Sequence, residues 1–268
     1  MAKKAKTILR CENLKKYYGA TKAIDDCSLE FQEGTITSII GPNGSGKTTL
    51  FNLITGFTSP DSGEIYYNDR DITKLCRKSK SYALAELGIA QSFQLPQGFG
   101  EMTILESLMV PPTLVRDNSL TSALKLLIPG IKERARWERE EKASEMLQEL
   151  GLEERRDGKL QDQDVGTQKL VELGQIFLLD PSIFLLDEPL AGVSTNKEPL
   201  LLDHIKRVKE TGKTIIMISH KMESVMNVSD VIIVLLNGKI LADGSPEEIR
   251  NNQTVKESYL GVSNVRSE

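Results

Sequence analysis

The stretch Gly41-Pro42-Asn43-Gly44-Ser45-Gly46-Lys47-Thr48-Thr49 decides the fold of this chain. It has a glycine, four further residues and then Gly-Lys-Thr, which is the spacing of a phosphate-binding loop. The β-branched, largely apolar run 35–40 precedes it, and the helix-like run 50–56 follows it. Glycines let a backbone fold closely around phosphate oxygens, and a helix N-terminus favours anions. Strand, loop and helix together therefore predict a nucleotide-binding site.

Each position of this loop has an expected part in binding. Lys47 is predicted to reach the β- and γ-phosphates, and the Thr48 hydroxyl is predicted to bind Mg²⁺. The remaining predicted nucleotide-binding residues are Gly41, Pro42, Asn43, Gly44, Ser45, Gly46 and Thr49.

The composition indicates a globular protein and argues against several classes of partner. Of 268 residues, 39% are hydrophobic and 27% are charged, which excludes a disordered chain. The net charge of −4 gives no support to nucleic-acid binding. No apolar run approaches the roughly 20 residues that span a bilayer, and the basic start lacks the apolar segment of a signal peptide. Three cysteines without metal-ligand spacing are predicted to be buried thiols in a reducing compartment.

Apolar strands alternate with helices on both sides of a long helical segment. Helices are predicted at 103–110, 119–128 and 131–150, and Trp137 in the last of them is predicted to pack locally. The alternation of strands and helices after about 167 predicts a parallel sheet that is covered on both faces.

Further elements are predicted on either side of the helical segment. Before it, strands are predicted at 7–12 and 28–32. After it, helices are predicted at 168–179 and 197–210.

These patterns predict one α/β domain that extends over residues 1–268. Residues 1–95 and 161–244 are assigned to the nucleotide-binding core. Residues 96–160 form the predicted helical insertion, and 245–268 form a C-terminal helical tail.

Two more predicted strands end in side chains suited to phosphate chemistry. The run Ile183–Leu186 leads into Asp187 and Glu188, and the strand 214–218 is followed at Ser219 by His220. Asp187 is predicted to bind Mg²⁺, and Glu188 is predicted to polarise the attacking water as a general base. His220 is predicted to hydrogen-bond the γ-phosphate.

Two other residues are weaker candidates for the same site. Gln94 follows a predicted strand at 88–93, and its amide is predicted to contact Mg²⁺ or the attacking water. Tyr18 precedes Gly19, where an aromatic ring could stack on a purine. A plain surface tyrosine explains Tyr18 equally well.

In order and spacing the chain resembles the ATP-binding cassette (ABC) ATPases over nearly its whole length. The matching features are Tyr18, the Walker A loop 41–49, Gln94, a helical insertion, a signature region, the Walker B residues Leu186–Glu188, and His220. Further features resemble the ATPase subunits of branched-chain or other hydrophobic amino-acid importers. They are Gly56-Phe57, Gln91–Gln94, the charged insertion 112–145, and residues 188–192, 244–252 and 259–261. Exporter ATPases and urea or amide importer ATPases have similar tails, so they remain alternatives.

This resemblance implies a P-loop NTPase (RecA-like) core with an antiparallel β subdomain and an inserted helical subdomain. It implies ATP and Mg²⁺ as cofactors and hydrolysis coupled to transport. The implied partners are a second ATPase subunit, transmembrane permease subunits and, indirectly, an external substrate-binding protein, with no nucleic acid. The implied location is peripheral, on the cytoplasmic face of the cell membrane.

The chain departs from the family at the signature motif. Where the family has approximately Leu-Ser-Gly-Gly-Gln, this chain has Gln163 followed by Asp164, Val165, Gly166 and Thr167. In the family this motif contacts the γ-phosphate that a second subunit holds. Replacing serine by aspartate removes a donor worth about 1.5–3 kcal/mol. At ~4 Å and an effective dielectric of ~20, the carboxylate adds at most roughly 4 kcal/mol of repulsion.

Two interpretations of this departure remain open. In the first, the chain hydrolyses ATP in a heterodimer whose other subunit has an intact signature, although a homodimer remains possible. In the second, the chain binds ATP and regulates a partner while hydrolysing little. The presence of Lys47, Glu188 and His220 favours the first interpretation, and Asp164 favours the second.

Overall fold

The computed structural model describes a large part of the chain. The described residues are 6–78, 81–92, 101–110 and 131–257, without the side chains of 81–82 and 131–135. The predicted helix 119–128 lies outside them. Among the described residues, no helix combines the length and the hydropathy that a bilayer span requires.

The chain divides into two compact units. Unit 1 comprises residues 1–91, 182–188 and 206–268, and unit 2 comprises residues 92–181 and 189–205. Unit 2 is therefore larger than the predicted insertion 96–160, because it also takes in the signature region and the segment after Glu188.

The elements alternate between strands and helices in the order that the sequence indicates. Unit 1 begins with β1 (Thr7–Tyr18), β2 (Thr21–Gln32), β3 (Ile36–Ile40), α1 (Lys47–Ile54), β4 (Ser62–Tyr67), β5 (Arg70–Asp71), α2 (Thr73–Arg77), α3 (Ser81–Glu86) and β6 (Ile89–Gln91). Unit 2 contains α4 (Ile104–Met109), α5 (Ile131–Glu149) and α6 (Val165–Leu179), with 3₁₀ turns at Glu153–Arg155 and Leu160–Asp162. The chain continues with β7 (Ile183–Asp187), α7 (Glu198–Glu210), β8 (Thr214–Ile218), α8 (Met222–Val228), β9 (Val231–Leu236), β10 (Lys239–Gly244), α9 (Pro246–Asn251) and α10 (Gln253–Val255).

In the larger sheet of unit 1, the carboxyl ends of β3, β7 and β8 lie at one edge. Its order is β10-β9-β3-β8-β7-β6, and every pair except β10 with β9 is parallel. All residues of β3 and β8 are buried, as expected for parallel strands covered on both faces. Ile218 in β8 is level with Ile39 in β3 and with Asp187 in β7. The residues that follow these three positions therefore meet at the carboxyl edge of the sheet.

The smaller sheet is antiparallel, with the order β2-β1-β4-β5. Its first hairpin is longer than the strands that we predicted at 7–12 and 28–32. The added part is mostly polar on both strands, with only Leu14, Ile24 and Cys27 buried in it, and Lys15 pairs with Asp25 across it. Opposite charges on neighbouring strands support such a ladder without apolar alternation, which is why the sequence pattern missed it.

The helix after the phosphate loop is anchored by its apolar face. Leu50, Phe51, Leu53 and Ile54 of α1 are fully buried in the core of unit 1. Burying one such side chain contributes about 1.5–3 kcal/mol. This packing holds the N-terminal end of α1, where the loop lies, in a fixed position.

Unit 2 is helical in the part that the structure describes. A capping box between Thr103 and Glu106 begins α4. In α5 the buried apolar residues are Ala143, Met146 and Leu147, whereas Trp137 is 63% exposed. The prediction that Trp137 packs locally is wrong, because it lies in the strongly charged, exposed part of this helix.

Candidate nucleotide-binding site

The phosphate loop is formed by close backbone approaches that only glycine permits. Gly46 is the N-cap of α1 at φ 105°, and a Cβ atom there would lie 2.2 Å from the Ala23 carbonyl oxygen. A Cβ atom on Gly41 would lie 2.1 Å from the Leu235 carbonyl oxygen. The N–H of Gly238 donates to the Ser45 carbonyl oxygen at 2.9 Å. The loop is thus held against two strands before any ligand arrives.

Lys47 lies at the start of α1 with its ammonium group folded back onto the loop. Its Nζ donates to the carbonyl oxygens of Gly41 and Pro42, each at 2.9 Å. Burial lowers the pKa of Lys47, while the nearby carboxylates of Glu188 and Asp187 act in the opposite direction. The two carbonyl oxygens thus hold the ammonium group against the loop.

Glu188 and His220 form a pair at the sheet edge beside the loop. The backbone of Glu188 is left-handed, at φ 48°, and its N–H donates to the Ile218 carbonyl oxygen at 3.0 Å. This turn carries the side chain to His220, whose Nδ1 lies 2.7 Å from Glu188 Oε1. Burial raises the pKa of Glu188, and His220 acts against that rise. A carboxyl group with a raised pKa is a stronger base once it is ionised.

The predicted magnesium ligands lie at the beginning of α1 and at the end of β7. Thr48 is exposed, so its hydroxyl is accessible, and Asp187 ends its strand at the functional edge. A hydroxyl and a carboxylate are the hard oxygen ligands that Mg²⁺ accepts in phosphate-binding sites. The described residues contain no cluster of three or more His, Cys, Asp or Glu side chains suited to a metal.

Of the two weaker candidates, the structure describes Tyr18 but not Gln94. Gln94 lies outside the described residues, so its position stays a prediction. Tyr18 is 50% exposed, and the ammonium group of Lys16 lies 5.5 Å from the centre of its ring. An exposed ring agrees with both interpretations of Tyr18.

The signature residues form the beginning of α6 in unit 2. Asp164 is the N-cap, and its Oδ1 accepts the Thr167 N–H at 2.9 Å. Its Oδ2 accepts the Thr167 hydroxyl and Arg155 Nη1, each at 2.8 Å. These contacts lower the pKa of Asp164 to about 2. The carboxylate is ionised at neutral pH and has a counter-ion, which reduces the repulsion expected from the sequence.

Comparison with known proteins identifies the family. The sequence model of the ABC transporter family matches residues 24–191. The chain belongs to the ABC transporter family. A second model, the branched-chain amino acid ATP-binding cassette transporter family, matches residues 239–263 of this cassette.

Curated relatives match the cassette over nearly their full length. A probable branched-chain amino acid transport ATP-binding protein LivG of Methanocaldococcus jannaschii is 39% identical, over 95% of this chain and 97% of that protein. A high-affinity branched-chain amino acid transport ATP-binding protein LivG of Salmonella typhimurium is 36% identical, over 95% and 98%.

Solved structures agree in fold. The ADP conformation of an ATP-binding cassette from an ABC transporter has a TM-score of 0.77 and 37% identity, covering 96% of this cassette and 99% of that chain. A nucleotide-free cassette has a TM-score of 0.74 and 36% identity, covering 94% and 95%. The predicted P-loop NTPase fold with an antiparallel sheet is confirmed, and the protein is an ABC ATPase.

The structure also places together residues that the sequence did not single out. Arg155 lies against the signature residues, and Lys197 lines the same cavity as Arg155 and Asp164. The available signal was Arg155-Arg156 shortly before an altered signature motif. Arg155 and Asp164 are nine residues apart, and the sequence between them has no helical periodicity. The sequence therefore does not indicate that these two side chains form an ion pair.

Proposed function

We propose that this cassette hydrolyses Mg-ATP to energise a membrane importer of branched-chain or other hydrophobic amino acids. The relatives of similar length carry names of branched-chain amino acid transport proteins, which supports this substrate class. The observation that carries the proposal for hydrolysis is the contact between Glu188 and His220 beside the phosphate loop. A subunit that only bound nucleotide would have no use for a partly buried carboxylate with a raised pKa at that edge.

Nucleotide binding begins at the loop 41–49. The loop amides bind the phosphate oxygens, and Lys47 exchanges the carbonyl oxygens of Gly41 and Pro42 for the β- and γ-phosphates. Tyr18 is proposed to stack on the adenine ring. The buried position of Lys47 strengthens its attraction to the phosphates, because water screens it less.

Thr48 and Asp187, together with Gln94, are proposed to hold Mg²⁺. When bound, the ion offsets the charge that develops on the phosphate oxygens. Glu188 orients the attacking water and accepts its proton as the water oxygen attacks the γ-phosphorus and the bond to the ADP oxygen breaks. His220 holds the Glu188 carboxylate in place and is proposed to donate to the γ-phosphate.

The cassette is proposed to act with a second, different ATPase subunit and with transmembrane permease subunits. Those subunits would keep it at the cytoplasmic face of the membrane, with an external binding protein supplying the substrate. The altered signature at Asp164 favours a heterodimer over a homodimer, because in a homodimer both composite sites would contain the alteration. The domain division proposed from the sequence, with 96–160 as an insertion, would place the contacts with the permease on that segment.

One experiment tests hydrolysis and substrate together. The transporter is purified through a tag on this cassette, placed in lipid vesicles, and assayed for Mg-ATP hydrolysis and for uptake of labelled leucine. Glu188→Gln is expected to lower both at least ~100-fold, as loss of a general base does. The control is Glu210→Gln, because Glu210 is exposed at the end of α7.

Each alternative has its own result in this experiment. Unchanged hydrolysis with Glu188→Gln would support a regulatory subunit instead. Hydrolysis without leucine uptake, but with uptake of urea or an amide, would favour the related importers. Hydrolysis that is stimulated only by a lipid-linked substrate would favour an exporter.

A further inference from the structure

The end of the β1–β2 hairpin carries Tyr18, whose ring is half-exposed. Within the described residues, β4 pairs with β1 as far as Lys15, whereas Tyr17 and Tyr18 pair with β2 alone. A ribbon of two strands is only marginally stable in water. The position of the Tyr18 ring therefore depends on side-chain contacts that hold this end of the hairpin.

Tyr17, the neighbour of Tyr18, is held at both its backbone and its side chain. Its N–H donates to Asp61 Oδ2 at 2.7 Å, and its hydroxyl donates to Asp25 Oδ1 at 2.6 Å. Hydrogen bonds to a carboxylate are roughly twice as strong as those between neutral groups. The bond between the two side chains lowers the pKa of Asp25 and raises the pKa of Tyr17, so carboxylate and phenol keep their roles at neutral pH.

Asp25 also links the hairpin to the phosphate loop. Its N–H donates to the Gly238 carbonyl oxygen at 2.8 Å, and the Gly238 N–H donates to the Ser45 carbonyl oxygen at 2.9 Å. Its second carboxylate oxygen, Oδ2, lies 3.3 Å from Lys22 Nζ and 3.6 Å from Lys239 Nζ. One residue is therefore bonded both to the end of β1 and to the turn that supports the loop.

Lys16 lies over one face of the Tyr18 ring. Its ammonium group is 5.5 Å from the centre of the ring and 3.0 Å from Asp61 Oδ1. A cation over an aromatic face is attracted by the negative charge of that face. Because the ring is half-exposed, its opposite face remains for a planar base.

We propose that Asp25 is a positioning residue for the base of the nucleotide: by holding the Tyr17 hydroxyl, it sets the Tyr18 ring at a fixed distance from the phosphate loop. This inference rests on the proposed function, because that function supplies ATP and the stacking of Tyr18 on adenine. Asp25 contacts neither the base nor the phosphates. It increases affinity because the ring is already ordered when the nucleotide arrives.

The test removes single hydroxyl groups from the purified chain. Tyr17→Phe deletes the donor to Asp25 and keeps the aromatic ring. Tyr66→Phe is the matched control, because the Tyr66 hydroxyl donates to Glu64 Oε2 at 2.5 Å in the same sheet. Calorimetry measures binding of MgATP and of magnesium tripolyphosphate, which has the phosphates but no base. The melting temperature of each variant shows whether it is folded.

The expected loss is confined to the ligand that has a base. Tyr17→Phe should raise the Kd for MgATP about 3- to 10-fold, as loss of a hydrogen bond to a charged group does, and should change the Kd for tripolyphosphate less than about twofold. Tyr66→Phe should change both values less than about twofold. Equal weakening of both ligands by Tyr17→Phe would mean that the contact supports the phosphate loop itself, and the inference would be wrong.

A second background separates positioning of the ring from a general structural effect. Tyr18→Ala should raise the Kd for MgATP roughly tenfold, because it removes the stacking. In that background Tyr17→Phe should cause no further loss, since no ring remains to be positioned. A further loss of the original size would overturn the inference.

The partner of the Tyr17 hydroxyl is tested in the same way. Asp25→Ala should weaken MgATP at least as much as Tyr17→Phe and should leave tripolyphosphate binding unchanged. Adding Tyr17→Phe to Asp25→Ala should have no further effect, because both changes remove the same bond. Losses that add in full would show that the two side chains act separately, which contradicts the inference.

The outcomes distinguish this inference from the proposed function, because binding is measured without hydrolysis. If Tyr18→Ala weakens MgATP and Tyr17→Phe does not, the inference alone is wrong. If Tyr17→Phe acts on MgATP as expected but the assembled transporter never hydrolyses ATP, the proposed hydrolysis alone is wrong. In an active transporter, Tyr17→Phe should raise KM and leave kcat unchanged, because it removes binding that the ground state and the transition state share.

Discussion

Burial and charge act on the Glu188 carboxyl group in opposite directions. Burial and Asp187 raise its pKa, whereas His220 and Lys47 lower it. A general base works only when ionised, so activity should fall with decreasing pH at a higher pH than for an exposed glutamate. His220→Gln removes the side chain whose electrostatic effect lowers the pKa of Glu188, so the acid limb of kcat should move to still higher pH. Stopped-flow phosphate release from pH 5 to 8 measures the limb, and a downward move would contradict this assignment.

Asp164 should contribute to stability through its cap. Because its pKa is lowered to about 2, its contribution is present above the ordinary carboxyl pKa and is lost as pH falls toward 2. At pH 7, Asp164→Ala should reduce the free energy of unfolding by about 1 kcal/mol, whereas Asp164→Asn should change it by a few tenths. Urea denaturation at pH 7 and pH 3 measures both. A similar loss in both variants would mean that the ion pair with Arg155, and not the cap, carries the stabilisation.

At the residue scale, the sequence predicts which residues form the site, but it does not predict the environment of each side chain. The spacing of the loop 41–49 is sufficient to predict its function, because glycines and a lysine in this order between a strand and a helix suit phosphate groups. The orientation of Asp164 was not predictable, since it depends on Arg155 in a separate turn. The left-handed backbone of Glu188 was equally hidden, because glutamate has no preference for that conformation.

At the scale of elements, two glycines of α6 offer a matched comparison. A Cβ atom on Gly166 would lie 2.5 Å from the Gly192 carbonyl oxygen, which is backbone. A Cβ atom on Gly174 would meet only side chains, with Leu108 and Leu150 each at 2.9 Å. Side chains can move and backbone cannot, so Gly166→Ala should cost about 1–3 kcal/mol of stability. Gly174→Ala should stay within about 1 kcal/mol, because alanine favours the helix.

Thermal and urea unfolding of both alanine variants, with ATP hydrolysis alongside, measures this difference. Gly166→Ala should also lower hydrolysis in the assembled transporter, because the first turn of α6 would have to shift. If Gly174→Ala proves the more harmful of the two, the approach of Gly192 to α6 is not a rigid contact.

Element boundaries were predictable where a local signal exists. The strand β8 and the helices α4, α5 and α7 lie within one residue or two of their predicted positions. The helix α6 begins at Val165 and not at 168, because aspartate caps it and the glycine at 166 does not break it. The long β1–β2 hairpin was missed because its polar half is stabilised by pairing between strands, which no single strand reveals.

At the scale of the whole molecule, the order of strands is what the sequence leaves open. The motifs that follow β3, β8 and β7 form one site only if these three strands are neighbours. The sequences of the separate segments do not indicate that β8 lies between β3 and β7. The division into units is equally non-local. Residues 161–181 and 189–205 belong with the insertion through their contacts, although they flank a strand of the core.

The three thiols of unit 1 provide a measure of its opening. Cys11, Cys27 and Cys76 are buried and free, which confirms the prediction of buried thiols. Burial raises the pKa of Cys27 to about 11 and that of Cys76 to about 12, and it raises the pKa of Cys11 as well. Since the thiolate is the reactive form, all three should resist Ellman's reagent at pH 8 and react fully in denaturant.

ATP should slow this labelling further, because a ligand that binds only the folded state stabilises it by mass action. At 100 times Kd the expected stabilisation is about 2.7 kcal/mol, a roughly hundredfold slowing when unit 1 must unfold for the thiols to react. Lys47→Ala should abolish the effect of ATP while leaving the unliganded labelling rate similar. A thiol that reacts at once in the native protein would show that its shielding is local. Slow labelling that ATP does not change would show that the thiols are exposed by fluctuations that leave the phosphate loop intact.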